Sequence, residues 1–173
     1  TTRLEHLNHL TRYDPREYML LDAVATRSLE IFEPRHVHGL EGAALSETID
    51  RTASALGRRE LHDRLRRPLL DPDRIDARLD GVEALLRGVG EREKASELLA
   101  DVYDLERLVA SVSRGRADAR DLRALESTLS VVPDLRETIA ETTAASDVLA
   151  EIADDLDDCP EVRERIDAAI VES

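Results

Sequence analysis

Apolar residues recur along this chain at helical spacing almost from end to end. In "TRLEHLNHL", Leu4, Leu7 and Leu10 share one stripe. The next stretch, "EYMLLD", is equally compatible with an extended segment, and Asp22 is placed to cap a short helix at 23–28. "SLEIFEP" is the best strand candidate in the chain and ends at Pro34, and residues 35–45 read as a loop with two glycines. Ser46 is a candidate cap for a short helix at 47–51, and Ser54 for a longer one at 55–67 that Pro68 closes. Asp71 followed by Pro72 is a strong helix start.

The second half is more regular. Ile75, Leu79, Val82, Leu86 and Val89 step by 4, 3, 4 and 3, and Leu98, Val102, Leu105, Val109 and Val112 repeat those steps. Each set predicts one helix with a continuous apolar seam about 20 Å long. Gly88 and Gly90 end the first, and Gly115 stops the second. Asp118 caps a helix carrying Leu122, Leu125, Leu129 and Val132, and Pro133 begins another through Leu135 and Ile139. Two shorter helices follow, around residues 148–156 and 162–170. Short connections make neighbouring helices antiparallel. The pattern therefore predicts a mainly α chain, an antiparallel bundle of about six to eight helices. At most a short strand or hairpin is expected near residues 29–46.

Composition sharpens this picture. Aromatics are 2% of the 173 residues against 42% hydrophobic overall, so the core must be aliphatic. The net charge of −14 works against nonspecific binding to DNA phosphates or anionic membranes. Lys94 is the single lysine among 24 basic residues. Acid excess with almost no lysine suits a salt-filled cytoplasm, where screening shrinks to about 3 Å at molar salt; an acidic protein from a high-GC genome is the plainer alternative. The lone Cys159 excludes an internal disulfide, and its acidic neighbours should raise its pKa. No apolar run reaches the ~20 residues of a membrane span. The opening "TTRLEH", without Met, is expected of a piece of a longer protein.

Candidate chemistry is thin. His6 and His9 stand three apart on a helical pattern, and His36 and His38 lie in a loop, but no further ligands stand at metal-site spacing. His62 has no nucleophile placed beside it by any motif. "DDLDD" at 154–158 lacks the alternating ligands and central glycine of a calcium loop, so it reads as a solvated acidic face. "RRELHDRLRR" at 58–67 is the one basic cluster, but Glu60 and Asp63 dilute it and favour ion pairs over nucleic-acid contact. Phosphate-loop, dinucleotide and nucleophile-elbow motifs are missing. Read on its own, the sequence describes a soluble helical scaffold with no catalytic or metal-binding residue.

A series of local motifs points further. "YMLLDAVATRSLEIFEP" is followed by "LSETIDRTASALGRRELHDRLRRPLLD", then "RLDGVEALL", "DLERLVA" and "RDLRAL". In order and spacing this series resembles the core, or lever, domain of the MutS family of DNA mismatch-recognition proteins, over roughly residues 17–172. The most specific pieces are Asp50–x–Thr52, Gly57–x–Arg59–x–Leu61, Leu65–x–x–Pro68, Asp104–Leu105–Glu106–Arg107 and Arg120–Asp121–Leu122. Ser54, Ala55 and Arg64 depart from the Thr, Pro and Trp often found there in the family.

The resemblance implies a division of the chain: residues 1–16 as the connector domain's tail, and 17–173 as the first part of the core domain before a clamp insertion. It implies a non-catalytic lever linking the DNA clamp and mismatch-binding domains to an ATPase domain outside these residues. For the parent protein it implies ATP and Mg as cofactors, mismatched duplex DNA as ligand through other domains, a homodimer, a MutL-type partner and a cytoplasmic location. A MutS-like paralogue acting in recombination, and a free-standing helical adaptor that binds another protein, are the alternatives.

Overall fold

In the computed structural model of the chain, residues 17–35, 42–142 and 146–170 are described. The leucine stripe at 4–10 and His6, His9, His36 and His38 lie outside them. Helices dominate: α1 (Ala23–Ser28), α2 (Leu45–Ile49), α3 (Ala55–Arg66), α4 (Pro72–Arg87), α5 (Val89–Ala100), α6 (Leu105–Ser113), α7 (Ala119–Ala140), α8 (Asp147–Asp155) and α9 (Pro160–Ala169). Seven of these have nine residues or more, so the mainly α bundle expected from the pattern is the fold.

Most helices begin where a short polar side chain can accept a free first-turn amide. Asp22 accepts from Ala25 N–H at 2.7 Å, Ser54 from Gly57 at 3.1 Å, Asp104 from Arg107 at 3.1 Å and Asp118 from Asp121 at 2.8 Å. Asp71 does the same for Asp73, with Pro72 in the first turn. Gly115, at φ 63°, turns the chain out of α6 in the left-handed region that disfavours other residues.

The 22-residue α7 is the spine. It packs against α5, α6, α8 and α9, while α4 packs on α8 and α5, and α2 on α3. Leu108 of α6, Leu125 and Leu129 of α7 and Ile166 of α9 form the aliphatic core, joined at its margin by Leu105, Leu122 and Ile170. Leu135 on α7 and Leu149 and Ala153 on α8 are also buried. Where α4 meets α8 the residues are small: Gly81 and Ala84 are buried, and Ser146 Oγ lies 3.5 Å from where a Gly81 Cβ would sit.

Several local expectations are corrected. The candidate "SLEIFEP" at 28–34 forms no strand, because the backbone there finds helical partners. Ile31 N–H donates back to Thr26, and the carbonyls of Glu30 and Ile31 accept from Leu45 and Ser46 at the start of α2. The extended pairing lies instead at Tyr18, which bridges Leu69 antiparallel: Met19 N–H reaches Pro68 O at 2.8 Å and Leu70 N–H reaches Glu17 O at 3.0 Å. Ser46 does not cap α2. It is buried inside the helix, and the Glu47 carboxylate accepts from Ala44 N–H instead.

The seam at 98–112 is two helices. Asp104 starts a new one, and the intervening Tyr103 N–H is taken by Thr128 Oγ1 of α7 at 3.1 Å. Pro133 does not begin a helix but sits within α7. Buried Leu125 and Leu129 before it and Leu135 after it hold the helix together across the one backbone donor that proline lacks.

Candidate functional site: an arginine-bridged corner

Of the motif residues, Asp50, Thr52, Gly57, Arg59, Asp104 and Glu106 come together where α3 meets the end of α2 and the start of α6. The turn into α3 is built on Asp50. One carboxylate oxygen accepts from Thr52 N–H at 2.9 Å and Thr52 Oγ1 at 2.6 Å, and the other accepts from Arg58 Nε at 2.8 Å. These hydrogen bonds, the Thr52 hydroxyl foremost, hold the Asp50 carboxyl below the usual carboxylate range. Gly57 faces this turn closely, since a Cβ there would lie 3.3 Å from Thr52 Cβ.

One helical turn on, Arg59 reaches across the chain. Its Nη2 donates to Asp104 Oδ2 at 2.7 Å, and its Nη1 donates to Glu106. Asp104 thus does two jobs, capping α6 with one oxygen and holding α3 with the other. The Arg107 amide, then the Arg59 guanidinium, push its carboxyl below the usual range. Arg107 leads onward: it faces Asp121 of α7 at 3.7 Å, and Ser111 Oγ donates to the same carboxylate at 3.1 Å. From α7, Arg123 donates to Asp167 of α9 at 2.5 Å and to the Ile170 carbonyl. A polar path therefore runs α3, α6, α7, α9 alongside the aliphatic core.

Leu105 and Leu122 pack against that core, Leu61 and Leu65 are half-buried on α3, and the Pro68 carbonyl accepts the Tyr18-strand amide of Met19. Arg120 is exposed and joins no ion pair among the described residues. The basic cluster is largely ion-paired, as the sequence suggested: Arg58 with Asp50, Arg59 with Asp104, Arg64 with Glu60 and Arg66 with Asp63. Arg66 also lies 4.8 Å over the Phe32 ring, whose other aromatic neighbour is His62 at 5.3 Å. Sequence spacing pointed to none of these long-range links.

Chemistry remains sparse. Among the described residues no three His, Cys, Asp or Glu side chains come together to hold a metal ion. A groove of about 370 Å³ beside Phe32 is lined by Leu21, Arg27 and Arg66 among others, with no histidine or cysteine. Burial first, then Asp157 and Asp158, push the Cys159 thiol up. Among the described residues no helix is long and apolar enough to cross a membrane.

Comparison with known proteins decides the family. The profile for MutS domain III matches residues 24–173. This chain belongs to the MutS domain III family. It is 73% identical over 173 residues to the DNA mismatch repair protein MutS of Natronomonas pharaonis, covering 100% of this chain and 20% of that protein. It is 60% identical over 167 residues to DNA mismatch repair protein MutS 2 of Haloarcula marismortui, covering 96% and 17%. The MutS of Rhodopirellula baltica is 39% identical over 167 residues, covering 96% and 18%. The domain III chain thus spans about a fifth of the length of the curated relatives it matches. The first two relatives come from halophiles, in keeping with the acid-rich, lysine-poor composition.

Proposed function

We propose that this chain is a non-catalytic lever within a MutS-type mismatch-recognition protein, carrying motion between DNA-gripping domains and an ATPase domain that lie outside it. The observation that carries this reading is the spine α7, flanked by four helices and tied to the motif corner through Arg59, Asp104, Arg107 and Asp121. A lever needs stiffness and register, and the two come from different sources. Exposed or half-exposed ion pairs contribute only about 0.2–1 kcal/mol each. Burying an aliphatic side chain such as Leu108 contributes about 1.5–3 kcal/mol. Stiffness therefore comes from the aliphatic seam, and the arginine pairs fix which helix turn meets which.

On this reading ATP and Mg bind elsewhere in the longer protein, mismatched duplex DNA is held by other domains, and the protein acts as a homodimer with a MutL-type partner. The relatives' names support the mismatch-repair setting. The test is an ATPase assay and a DNA mobility shift on the 173-residue chain. Hydrolysis at background and no shift at micromolar protein are expected. Salt-robust turnover, or sub-micromolar binding centred on Arg58–Arg67, would overturn the scaffold reading.

A further inference from the structure

Arg78 stands in a small pocket between α3 and α4. Helix α4 leaves its apolar seam, Ile75, Leu79, Val82 and Leu86, exposed and turns Arg78 toward α3. The pocket encloses about 130 Å³ and is lined by Tyr18, Glu60, Asp63, Arg64, Arg67 and Arg78. Arg78 is half-buried, yet it makes no hydrogen bond or ion pair with any described residue.

The carboxylates nearby are already committed. Glu60 accepts from Arg64 Nε at 2.7 Å, and Asp63 pairs with Arg66 at 3.4 Å. Arg74, one turn back on α4, is held by Tyr18 and by Glu17, the latter at 2.8 Å. Burial first, and the charge of Arg64 next, push the Arg78 pKa below the usual arginine value, and Glu60 offsets only part of this. A guanidinium taken from water, crowded by a second guanidinium and given no carboxylate of its own is unfavourable until an anion completes it. The chain has 38 acidic residues from which to supply one, and none among the described residues is placed against Arg78.

Size and donor chemistry define the ligand. Sites for drug-sized molecules begin at ~300 Å³, so this pocket has room for one small anion and a few waters. Guanidinium forks match the paired oxygens of an oxyanion. Arg64 meets Glu60 through Nε alone, which leaves its two Nη groups to donate. We propose that the pocket binds one small tetrahedral oxyanion, phosphate or sulfate, with Arg78 as its principal donor and the Nη groups of Arg64 as the second. The bound anion accepts from both helices at once and joins α3 to α4. This site is separate from the Arg59–Asp104 corner and independent of the lever reading.

Thermal unfolding tests it, in the 173-residue chain with helicity checked by circular dichroism, and again in the full-length protein carrying it. KCl is held at a fixed molar concentration and potassium phosphate is titrated. Phosphate also stabilises proteins by exclusion from their surfaces, an effect indifferent to one arginine. A bound anion adds a part that rises with the logarithm of concentration. That part should reach about 3–6 °C in Tm at ten times the dissociation constant. Arg78→Gln should abolish it and, without phosphate, melt no lower than wild type, since a like charge has been removed. Arg120→Gln, at an exposed arginine, should keep it. Glu60→Gln should tighten phosphate at least threefold, because a competing carboxylate is gone.

A logarithmic gain that survives in Arg78→Gln overturns the proposal. So does a loss of stability in Arg78→Gln without phosphate, which would mark a purely structural arginine. An unchanged constant in Glu60→Gln overturns the part given to Arg64. Short duplex DNA at equal phosphate concentration should give no shift that depends on Arg78. A shift with DNA and none with free phosphate would make the pocket a nucleic-acid contact and end the small-anion reading, as would loss of the effect in the full-length protein.

Discussion

Arg59 of α3 and Asp104 at the start of α6 meet at 2.7 Å across 45 residues of sequence. The same carboxylate accepts the Arg107 amide, so the cap of one helix is also the anchor of another. A helix cap contributes about 1 kcal/mol, and a half-exposed ion pair less than that. Asp104→Ala should therefore cost more than Arg59→Ala. A double-mutant cycle in urea should show a small favourable coupling between them. Additive effects would mean that the pair is not formed in solution.

The pH dependence follows from the same carboxylates. Asp50 and Asp104 are held below the unfolded carboxylate value of about 3.9, so folding favours their charged forms. Their contribution is complete above about pH 4 and is lost as pH falls through the lower folded value. Urea midpoints measured at constant high salt should drop below pH 4, and Asp104→Asn should flatten that drop. An unchanged slope in the variant contradicts the assignment.

Two glycines should respond in opposite directions to alanine. At Gly81 a Cβ would make ordinary contacts of 3.5–4.0 Å with Ser146 and Leu149. Gly81→Ala should stabilise by about 0.5–1 kcal/mol through helix propensity. At Gly115, φ +63 strains any side chain, and Gly115→Ala should cost about 1–2 kcal/mol. Thermal melts of the two variants check both signs.

Cys159 should be a sluggish thiol. Burial and two aspartates disfavour its thiolate. Its rate with a disulfide reagent at pH 8 should fall well below that of a free cysteine and recover on unfolding in urea. Equal rates in folded and unfolded protein would show that the site does not shield it.

Much of this fold was legible in the residues. The caps at Asp22, Ser54, Asp71 and Asp118 were readable because capping is a local interaction, satisfied within three residues. The strand candidate "SLEIFEP" at 28–34 forms no strand because the Glu30 and Ile31 carbonyls are claimed by the start of α2, a contact that β-propensity cannot register. The seam at 98–112 looked continuous because Val102 keeps the period. The break comes from Asp104 and from Thr128 on a distant helix. Pro133 misled in the opposite sense, since packing on both sides outweighs one lost backbone bond. The α4 seam was readable as a seam, but period alone cannot tell a face covered within the chain from one left open. The motif residues were each named from the sequence. The bridges from Arg59 to Asp104 and from Arg107 to Asp121 were not, since no spacing encodes which distant carboxylate a guanidinium meets.

On the proposed reading, position is relayed through this corner and the chemistry lies in other domains of the longer protein. The direct measurement is ATP turnover by the full-length protein, with and without mismatched duplex DNA, in wild type and in Arg59→Ala with Asp104→Asn. Basal turnover should stay within about twofold of wild type, with the response to mismatched DNA reduced at least fivefold. An unaltered DNA response in a folded variant would contradict it.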